Sequence, residues 1–180
     1  MKKLINLVTV AGLALVAAAS AHAQVPSVLG TGDIKLGIFN PSGSNGKTYM
    51  GSTVFSAGLD YTPPGIPGVQ RPTIYGDYEG GTKNGGHVDT IGLGVATKWS
   101  PPVVGQLTKI TPYAGIGVGG YWLNITNGAT SQSGKSITVG GKVFAGLNFD
   151  KYLIEANYQL LPSEHGVNPS GFGVQVGMQF

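Results

Sequence analysis

The 180-residue sequence contains no cysteine, and charged residues make up only 11% of the chain. Without cysteine, neither a disulfide framework nor a lipid-modified N-terminal cysteine is available. The charges form no basic patch with interleaved aromatic residues, so nucleic acid is not expected as a partner. The sequence also lacks phosphate-binding loops, nucleotide fingerprints and zinc motifs, and we expect no cofactor, metal site or catalytic residue.

A single long apolar run occurs in the sequence, and it lies at the N-terminus. Two lysines precede an apolar segment over residues 4–19, which is followed by the small-residue motif Ala21-His22-Ala23. This arrangement is typical of a secretory signal peptide, and a retained membrane helix is the alternative. We expect residues 1–23 to be removed, which leaves residues 24–180 as a single mature domain with almost balanced charge.

Glycine is abundant, with 31 residues in the chain, whereas average usage is roughly 7%. Helices of ordinary length would be destabilised by so much glycine. Aromatic and β-branched residues nevertheless recur throughout the sequence, which distinguishes it from disordered chains. The domain is therefore expected to be folded and rich in β-structure.

Apolar residues alternate with glycine or polar residues in eight segments, as expected for strands with two different faces. The clearest is Gly171–Phe180, in which every second residue is apolar without exception. An even number of strands fits an up-and-down barrel. The predicted strands lie near residues 33–38, 52–61, 74–79, 90–99, 113–122, 136–149, 152–160 and 171–180. Loops outside the cell are predicted at 40–49, 80–87, 124–135 and 162–170, with both termini in the periplasm.

The apolar parity carries most of the large aromatic residues, and the interior of an eight-stranded barrel is too narrow to hold them. The glycine-rich parity therefore faces the lumen and the apolar parity faces lipid, which predicts an all-β, eight-stranded antiparallel up-and-down transmembrane β-barrel. Tyr113 and Tyr121, on the inner parity, are expected to lie over glycine backbone. Two aromatic girdles are predicted at the membrane interfaces, formed by Tyr49, Tyr61, Tyr78, Trp99, Trp122, Phe149, Tyr152, Phe172 and Phe180.

The charged residues of the strands share the inner parity. This segregation is expected, because Lys or Arg facing lipid at the midplane would cost roughly 2–4 kcal/mol. The cluster could line a polar path or form ion pairs that fill the lumen. We favour ion pairing, because an unpaired buried charge is costly. The predicted lumen cluster is Asp33, Lys35, Asp60, Asp77, Glu79, Lys98, Lys142 and Glu155.

The segment Gly171–Phe180 resembles the last strand of outer-membrane β-barrel proteins, which typically ends in an aromatic residue. In length, strand number and glycine and aromatic content, the mature chain is similar to the OmpA-like and OmpW-like outer-membrane β-barrel domain family. The resemblance implies that Phe180 is an assembly signal for the outer-membrane barrel assembly machinery. It also implies a location in the outer membrane, in contact with outer-membrane lipid and lipopolysaccharide.

Two functions are compatible with this prediction. The first is a structural or surface-interaction role in the cell envelope, which needs only the barrel and its loops. The second, implied by the OmpW-like resemblance, is a narrow transporter for small or hydrophobic solutes. A transporter would need an opening beside Phe39, Phe144 and Leu153, which are apolar residues on the inner parity.

A third hypothesis, a lipid A hydrolase, is suggested by Ser163, Glu164 and His165 in the last outer loop. The sequence departs from the PagL-like deacylases, which carry a His-x-Ser-Asn stretch where residues 157–161 here read Asn-Tyr-Gln-Leu-Leu. Adjacent residues in one loop are also poorly placed to form a triad. We therefore expect no enzyme. His87 and His165 are too sparsely supported by acidic neighbours to predict a metal site.

Overall fold

The computed structural model describes residues 30–64, 72–101, 110–128 and 132–180. The predicted signal peptide and parts of the two proline-rich links lie outside these ranges. Within them, eight antiparallel strands follow one another around a closed barrel, and β8 pairs with β1. The elements are β1 (Thr31–Pro41), α1 (Ser44–Tyr49), β2 (Val54–Thr62), β3 (Pro72–Lys83), β4 (Gly86–Trp99), β5 (Ile110–Asn127), β6 (Gln132–Phe149), β7 (Tyr152–Leu160) and β8 (Gly171–Gln179). The predicted eight-stranded antiparallel barrel is confirmed.

The two ends of the barrel differ. The start of β1, the end of β8 and the tight turn at Asp150 and Lys151 lie at one end, which we call the terminal end. The short helix α1 and the segment between β7 and β8 lie at the other, which we call the loop end. In the described ranges, no helix is long and apolar enough to cross a membrane.

The strand register gives the dimensions of the barrel. A row of paired residues that starts at Ile137 on β6 passes through every other strand and returns to β6 at Leu147, ten residues along the chain. Together with the number of strands, this stagger sets the tilt of the strands and the diameter of the barrel, and closed barrels of this kind have strands tilted by about 35–45°.

Two hairpins extend further at the loop end than the sequence pattern indicated. β3 and β4 pair as far as Lys83 and Gly86, and the connecting residues Asn84 and Gly85 both have positive φ angles of 51° and 73°. Such a pair forms the tight two-residue turn typical of hairpins. β5 and β6 pair as far as residues 127 and 132. The predicted loops at 80–87 and 124–135 were therefore too long, because residues 80–83, 86–87, 124–127 and 132–135 continue the strand ladder; residues 129–131 lie outside the described ranges.

The two faces of the sheet differ in polarity as predicted. Outward side chains are largely apolar and exposed, including Leu93 at 66% and Ile116 at 64%. Inward positions carry glycine, tyrosine and the charged residues. The ring of Tyr121 lies over Gly92, where an added Cβ would be 2.5 Å from the ring. Tyr113 covers Gly146 in the same way. The expected tyrosine-over-glycine packing is thus present at both positions.

Candidate functional site: the lumen and the loop end

The lumen near the terminal end contains a network of ion pairs. Lys35 Nζ lies 2.9 Å from Asp60 Oδ2 and 2.9 Å from Glu155 Oε1. Lys98 Nζ lies 2.8 Å from the same Asp60 oxygen and 2.9 Å from Asp33 Oδ2. Two lysines and three carboxylates from four strands therefore meet in one connected cluster. Period-two alternation places each of them on the inner face of its strand.

Uncharged groups add further hydrogen bonds to this network. The Tyr113 hydroxyl donates to Glu155 Oε2 at 2.9 Å, so both oxygens of that carboxylate are engaged. Gln179 Nε2 donates to Asp33 at 3.4 Å. A polar recess of about 220 Å³ opens at the terminal end beside Asp33, Lys98 and Tyr113. The ion pairs between Lys98 and the carboxylates of Asp33 and Asp60 line the lumen just above this recess.

A second ion pair lies nearer the middle of the lumen. Lys142 Nζ contacts both oxygens of Asp77, at 2.9 and 3.1 Å. The same ammonium group lies 4.0 Å from the centre of the Tyr75 ring, within cation–π range. The hydroxyls of Tyr75 and Tyr121 are 3.1 Å apart. Lys142 is thus held by a carboxylate and an aromatic face together.

Glu79 differs from the other lumen acids. Gln159 Nε2 donates to its Oε1 at 2.7 Å, but among the described residues no lysine, arginine or histidine lies within ion-pair distance. Its side chain is buried, and its Oε2 has no hydrogen-bond partner. All eight predicted lumen residues therefore project into the barrel, and seven of them take part in ion pairs while Glu79 does not.

An apolar layer, which we call the apolar cap, lies between this polar lumen and the loop end. The sequence pattern did not predict it, because most of its residues lie in predicted loops or just beyond the ends of the predicted strands. Continuing the inner parity of β4 and β5 past those ends would have revealed Val88, Leu123 and Ile125. The buried residues of the apolar cap are Phe39, Met50, Val54, Val88, Leu123, Ile125, Leu161 and Val167.

Tyr49 belongs with the apolar cap and not with an aromatic girdle. It is the last residue of α1, is partly buried against the cluster that contains the cap, and lies beside Gly86. Its prediction as a girdle residue was wrong, because α1 interrupts the strand pattern that was extended to it. The other eight predicted girdle residues point outward. Tyr78, Trp122 and Phe172 lie towards the loop end, and Tyr61, Trp99, Phe149, Tyr152 and Phe180 lie towards the terminal end.

The three inward apolar residues have different surroundings. Phe39 is part of the apolar cap. Phe144 packs against Tyr113, with ring centres 6.3 Å apart. Leu153 lies beside Gly177 in the half of the barrel nearer the terminal end. All three are at most 5% exposed.

The segment that joins β7 and β8 folds back over the apolar cap. Glu164 and Val167 exchange two backbone hydrogen bonds, of 3.0 and 2.9 Å, around a turn at His165 and Gly166. The His165 ring packs against Gly134 of β6. In this described segment, Ser163 makes no hydrogen bond to His165. The local geometry therefore does not supply the hydroxyl–imidazole contact that a serine hydrolase needs.

The two histidines of the predicted loops, His87 and His165, have different surroundings. His87 contacts Asp89 and Thr82 on the outer surface of the β3–β4 hairpin. His165 lies in the segment that covers the apolar cap. Within the described ranges, no group of three or more His, Cys, Asp or Glu residues is arranged to hold a metal ion.

The β5–β6 hairpin has one open edge. β6 pairs with β5 along its whole length, but its register with β7 begins only at Gly141. Of the strands that the structure describes, none pairs with residues 132–140 on that side. Ile137 and Val139, on the outer face of this segment, are 82% and 73% exposed. The segment therefore combines unpaired backbone groups with exposed apolar side chains.

No protein-family model matches this sequence, and a search of curated proteins finds no significant match. Solved structures with a similar fold are small eight-stranded outer-membrane β-barrels. The chain is similar to Neisserial surface protein A, with a TM-score of 0.59, 12% identity, and coverage of 83% of this chain and 94% of that one.

Two further structures have lower similarity scores. The N-terminal β-barrel domain of Pseudomonas aeruginosa OprF has a TM-score of 0.48 and 16% identity, with 84% of this chain and 98% of that one covered. The attachment invasion locus protein Ail of Yersinia pestis has a TM-score of 0.44 and 14% identity, with 84% and 99% covered. At such low identities the likeness concerns the fold and not the activity.

Proposed function

We propose that the chain is an outer-membrane β-barrel that does not conduct solutes and acts at the cell surface through its loop end. The open β6 edge at residues 132–140 is the observation that carries this proposal. A strand edge with unpaired backbone groups can add an extended strand of a partner protein. Ile137 and Val139 belong to the outward apolar band, so such a strand would be added along residues 132–136, on the polar side of the Ile137 row.

The distribution of side chains along the hairpin supports the membrane placement. Ile91, Trp122 and Ile137 are neighbours in one outward row of β4, β5 and β6. The next outward row towards the loop end consists of Asp89, Asn124 and Lys135. The polarity thus changes within two residues, as at a membrane surface. Lys135 Nζ also lies 5.9 Å from the Trp122 ring centre, a favourable contact at such a boundary.

The contents of the lumen support a structural role over transport. Lys35, Lys142 and Glu155 are almost completely buried, and each is paired with a group on another strand. Ions would have to break these pairs and then cross the apolar cap, where no charged side chain could replace their hydration. A narrow transporter is therefore the less favoured function.

Conductance recording tests the lumen argument. Refolded protein in planar bilayers should give no discrete channel steps, while heat modifiability on gels verifies that the barrel has formed. Steps that change when Lys142 is replaced by methionine would overturn the proposal and establish transport through the lumen. Silence from verified barrels would support the surface role.

Orientation can be tested by labelling, because the natural chain has no cysteine. Ser133→Cys places one thiol on the β5–β6 hairpin, and Lys151→Cys places one at the terminal end, where both native side chains are exposed. A membrane-impermeant maleimide should label Ser133→Cys in intact cells and Lys151→Cys only after the outer membrane is permeabilised. The reverse pattern would contradict the proposed orientation.

Delivery to this membrane would involve the C-terminal residue. Phe180 and Gly32 exchange two backbone hydrogen bonds, of 2.8 and 3.0 Å, and the Phe180 ring covers Gly32. We propose that Phe180 is read by the assembly machinery before this pairing closes the barrel. Phe180→Ala should reduce the amount of assembled barrel in cells, whereas refolding of the purified protein should be less affected. Equal losses in both settings would indicate a purely structural role.

A further inference from the structure

We propose that Glu79 is a proton-binding site in the lumen, where its carboxyl group is kept neutral and forms two reciprocal hydrogen bonds with the amide of Gln159. One of these bonds is present in the structure as the 2.7 Å contact from Gln159 Nε2 to Glu79 Oε1. The second would run from a proton on Glu79 Oε2 to Gln159 Oε1.

Two orphaned atoms point to this proton. Glu79 Oε2 and Gln159 Oε1 are both buried, and neither has a hydrogen-bond partner within the described part of the chain. Both are acceptors when Glu79 is ionised, so they cannot satisfy each other. A single proton on Oε2 converts that oxygen into a donor and gives both atoms a partner. Burial without a partner would otherwise cost free energy at each of them.

Within the described ranges, no cation forms an ion pair with Glu79. Its two cross-strand partners are Ser56 on β2 and Thr90 on β4, which are uncharged. On its own strand, Asp77 is a second carboxylate on the same face, and the Lys142 ammonium on β6 contacts both oxygens of Asp77.

The inward residues that β5 and β7 contribute near Glu79 are also uncharged. Tyr121 on β5 bonds to Tyr75, and Gln159 on β7 is the amide partner of Glu79. An ionised Glu79 would therefore be a buried negative charge without an ion-pair partner, next to the carboxylate of Asp77 that already binds Lys142. Such a group is strongly destabilising, and taking up one proton from water removes the charge.

A proton on Glu79 would also suit the boundary between the polar lumen and the apolar cap. Glu79 lies on β3 beyond Asp77 in the direction of the loop end, where the apolar cap begins. A neutral acid–amide pair has no net charge to desolvate at this boundary. The ion-paired residues Lys35, Asp60 and Glu155 lie towards the terminal end instead, where the lumen opens to the polar recess.

The test uses the small number of glutamates. The chain contains three, Glu79, Glu155 and Glu164. Protein labelled with ¹³C at the glutamate side-chain carboxyl carbon and refolded in micelles should give three carboxyl resonances by NMR. Near neutral pH, one resonance should have the chemical shift of a protonated acid and two that of carboxylates. The protonated resonance should disappear in Glu79→Gln and persist in Glu155→Gln and Glu164→Gln.

Several outcomes would overturn the proposal. Three carboxylate resonances would show that Glu79 is ionised, and a Glu79 resonance that moves when monovalent or divalent metal ions are removed would indicate a bound cation. Persistence of the protonated signal in Glu79→Gln would place the proton elsewhere. If that variant does not fold, the wild-type spectrum and the other two variants still assign the protonated resonance by elimination.

Stability gives an independent readout. Gln at position 79 has the shape and neutrality of the protonated acid, so Glu79→Gln should leave the urea unfolding midpoint unchanged. Asp77→Asn is the matched control, because it has the same chemistry on the same face of β3 and leaves the Lys142 ammonium unpaired. That control should lower the midpoint clearly. A Glu79→Gln midpoint lowered as much as that of Asp77→Asn would contradict the proposal.

Discussion

Lys35 and Glu155 are 120 positions apart in sequence, yet Lys35 Nζ lies 2.9 Å from Glu155 Oε1 inside the barrel. The two residues belong to β1 and β7, which are not neighbours, since β8 lies between them. The same ammonium group also binds Asp60 on β2. This contact therefore joins three strands across the seam where the barrel closes, independently of the backbone ladder.

Replacement of Lys35 by methionine should destabilise the barrel strongly. The change removes the shared cation and leaves the buried carboxylates of Asp60 and Glu155 with less compensation. Breaking a buried ion pair in this way costs about 3–5 kcal/mol. Urea unfolding of refolded protein, followed by intrinsic tryptophan fluorescence, would measure the loss.

Two comparisons make this prediction specific to the ion pair. Lys83→Met alters an exposed lysine at the loop end and should change the free energy of unfolding by less than about 0.5 kcal/mol. The double variant Lys35→Met with Glu155→Gln should be less destabilised than the two single effects added together, because the residues interact directly. Strict additivity would argue against the pairing.

Glycine at position 92 should be required by the ring above it. A Cβ at Gly92 would lie 2.5 Å from Tyr121 Cε1, so Gly92→Ala must displace the ring or the strand. Overpacking of this kind costs about 1–3 kcal/mol. Gly120→Ala is the matched control on β5, because a Cβ there has no heavy atom within 4 Å. Equal unfolding free energies for the two variants would refute the packing explanation.

The free-energy cost of a lysine on the outer face should depend on how deep in the membrane it lies. Val118 is 54% exposed and lies midway along β5 between Trp122 and Ala114, the partner of Trp99. Val118→Lys should cost about 2–4 kcal/mol in lipid vesicles, since it places a charge near the midplane. Ser133→Lys, on the outer face beyond Trp122, should cost about 0–1 kcal/mol. Similar small costs at both positions would mean that water, not lipid, covers the outer face.

The two tryptophans should report both membrane interfaces. The chain contains only Trp99 and Trp122, so Trp122→Phe and Trp99→Phe each leave a single fluorophore. Lipids that carry quenchers at known depths should quench both fluorophores best from shallow positions, because indole rings concentrate at membrane interfaces. Strongest quenching of either residue from the bilayer centre would contradict the girdle assignment.

The limits of sequence interpretation are clearest at the loop end. The alternation around Ile91, Trp122 and Ile137 predicted the barrel strands, because a period of two depends only on local backbone geometry. The pattern did not predict strands at 124–135, because the polar and glycine residues of this segment are also typical of loops. Pairing between two strands decides whether such residues form a ladder, and pairing partners are not visible in one segment alone.

In the lumen, too, the sequence predicted which way side chains face but not which partners they meet. Period two was enough to predict that Asp33, Lys35 and Glu155 face inward. It did not distinguish Glu79, whose sequence surroundings resemble those of the other acids, from the residues that gain a lysine partner. Partner choice depends on the shift of ten residues per circuit of the barrel, which sets the heights at which side chains of distant strands meet.

The sequence by itself determined the number of strands, the face that each side chain occupies and the outward apolar band. These properties follow from alternation along each strand, which any single segment reveals. Only the tertiary structure decided which charges pair, where the polar lumen ends beneath the apolar cap, that α1 removes Tyr49 from the girdle, and that β6 has an open edge. These depend on register and closure, which arise when strands far apart in the chain are brought side by side.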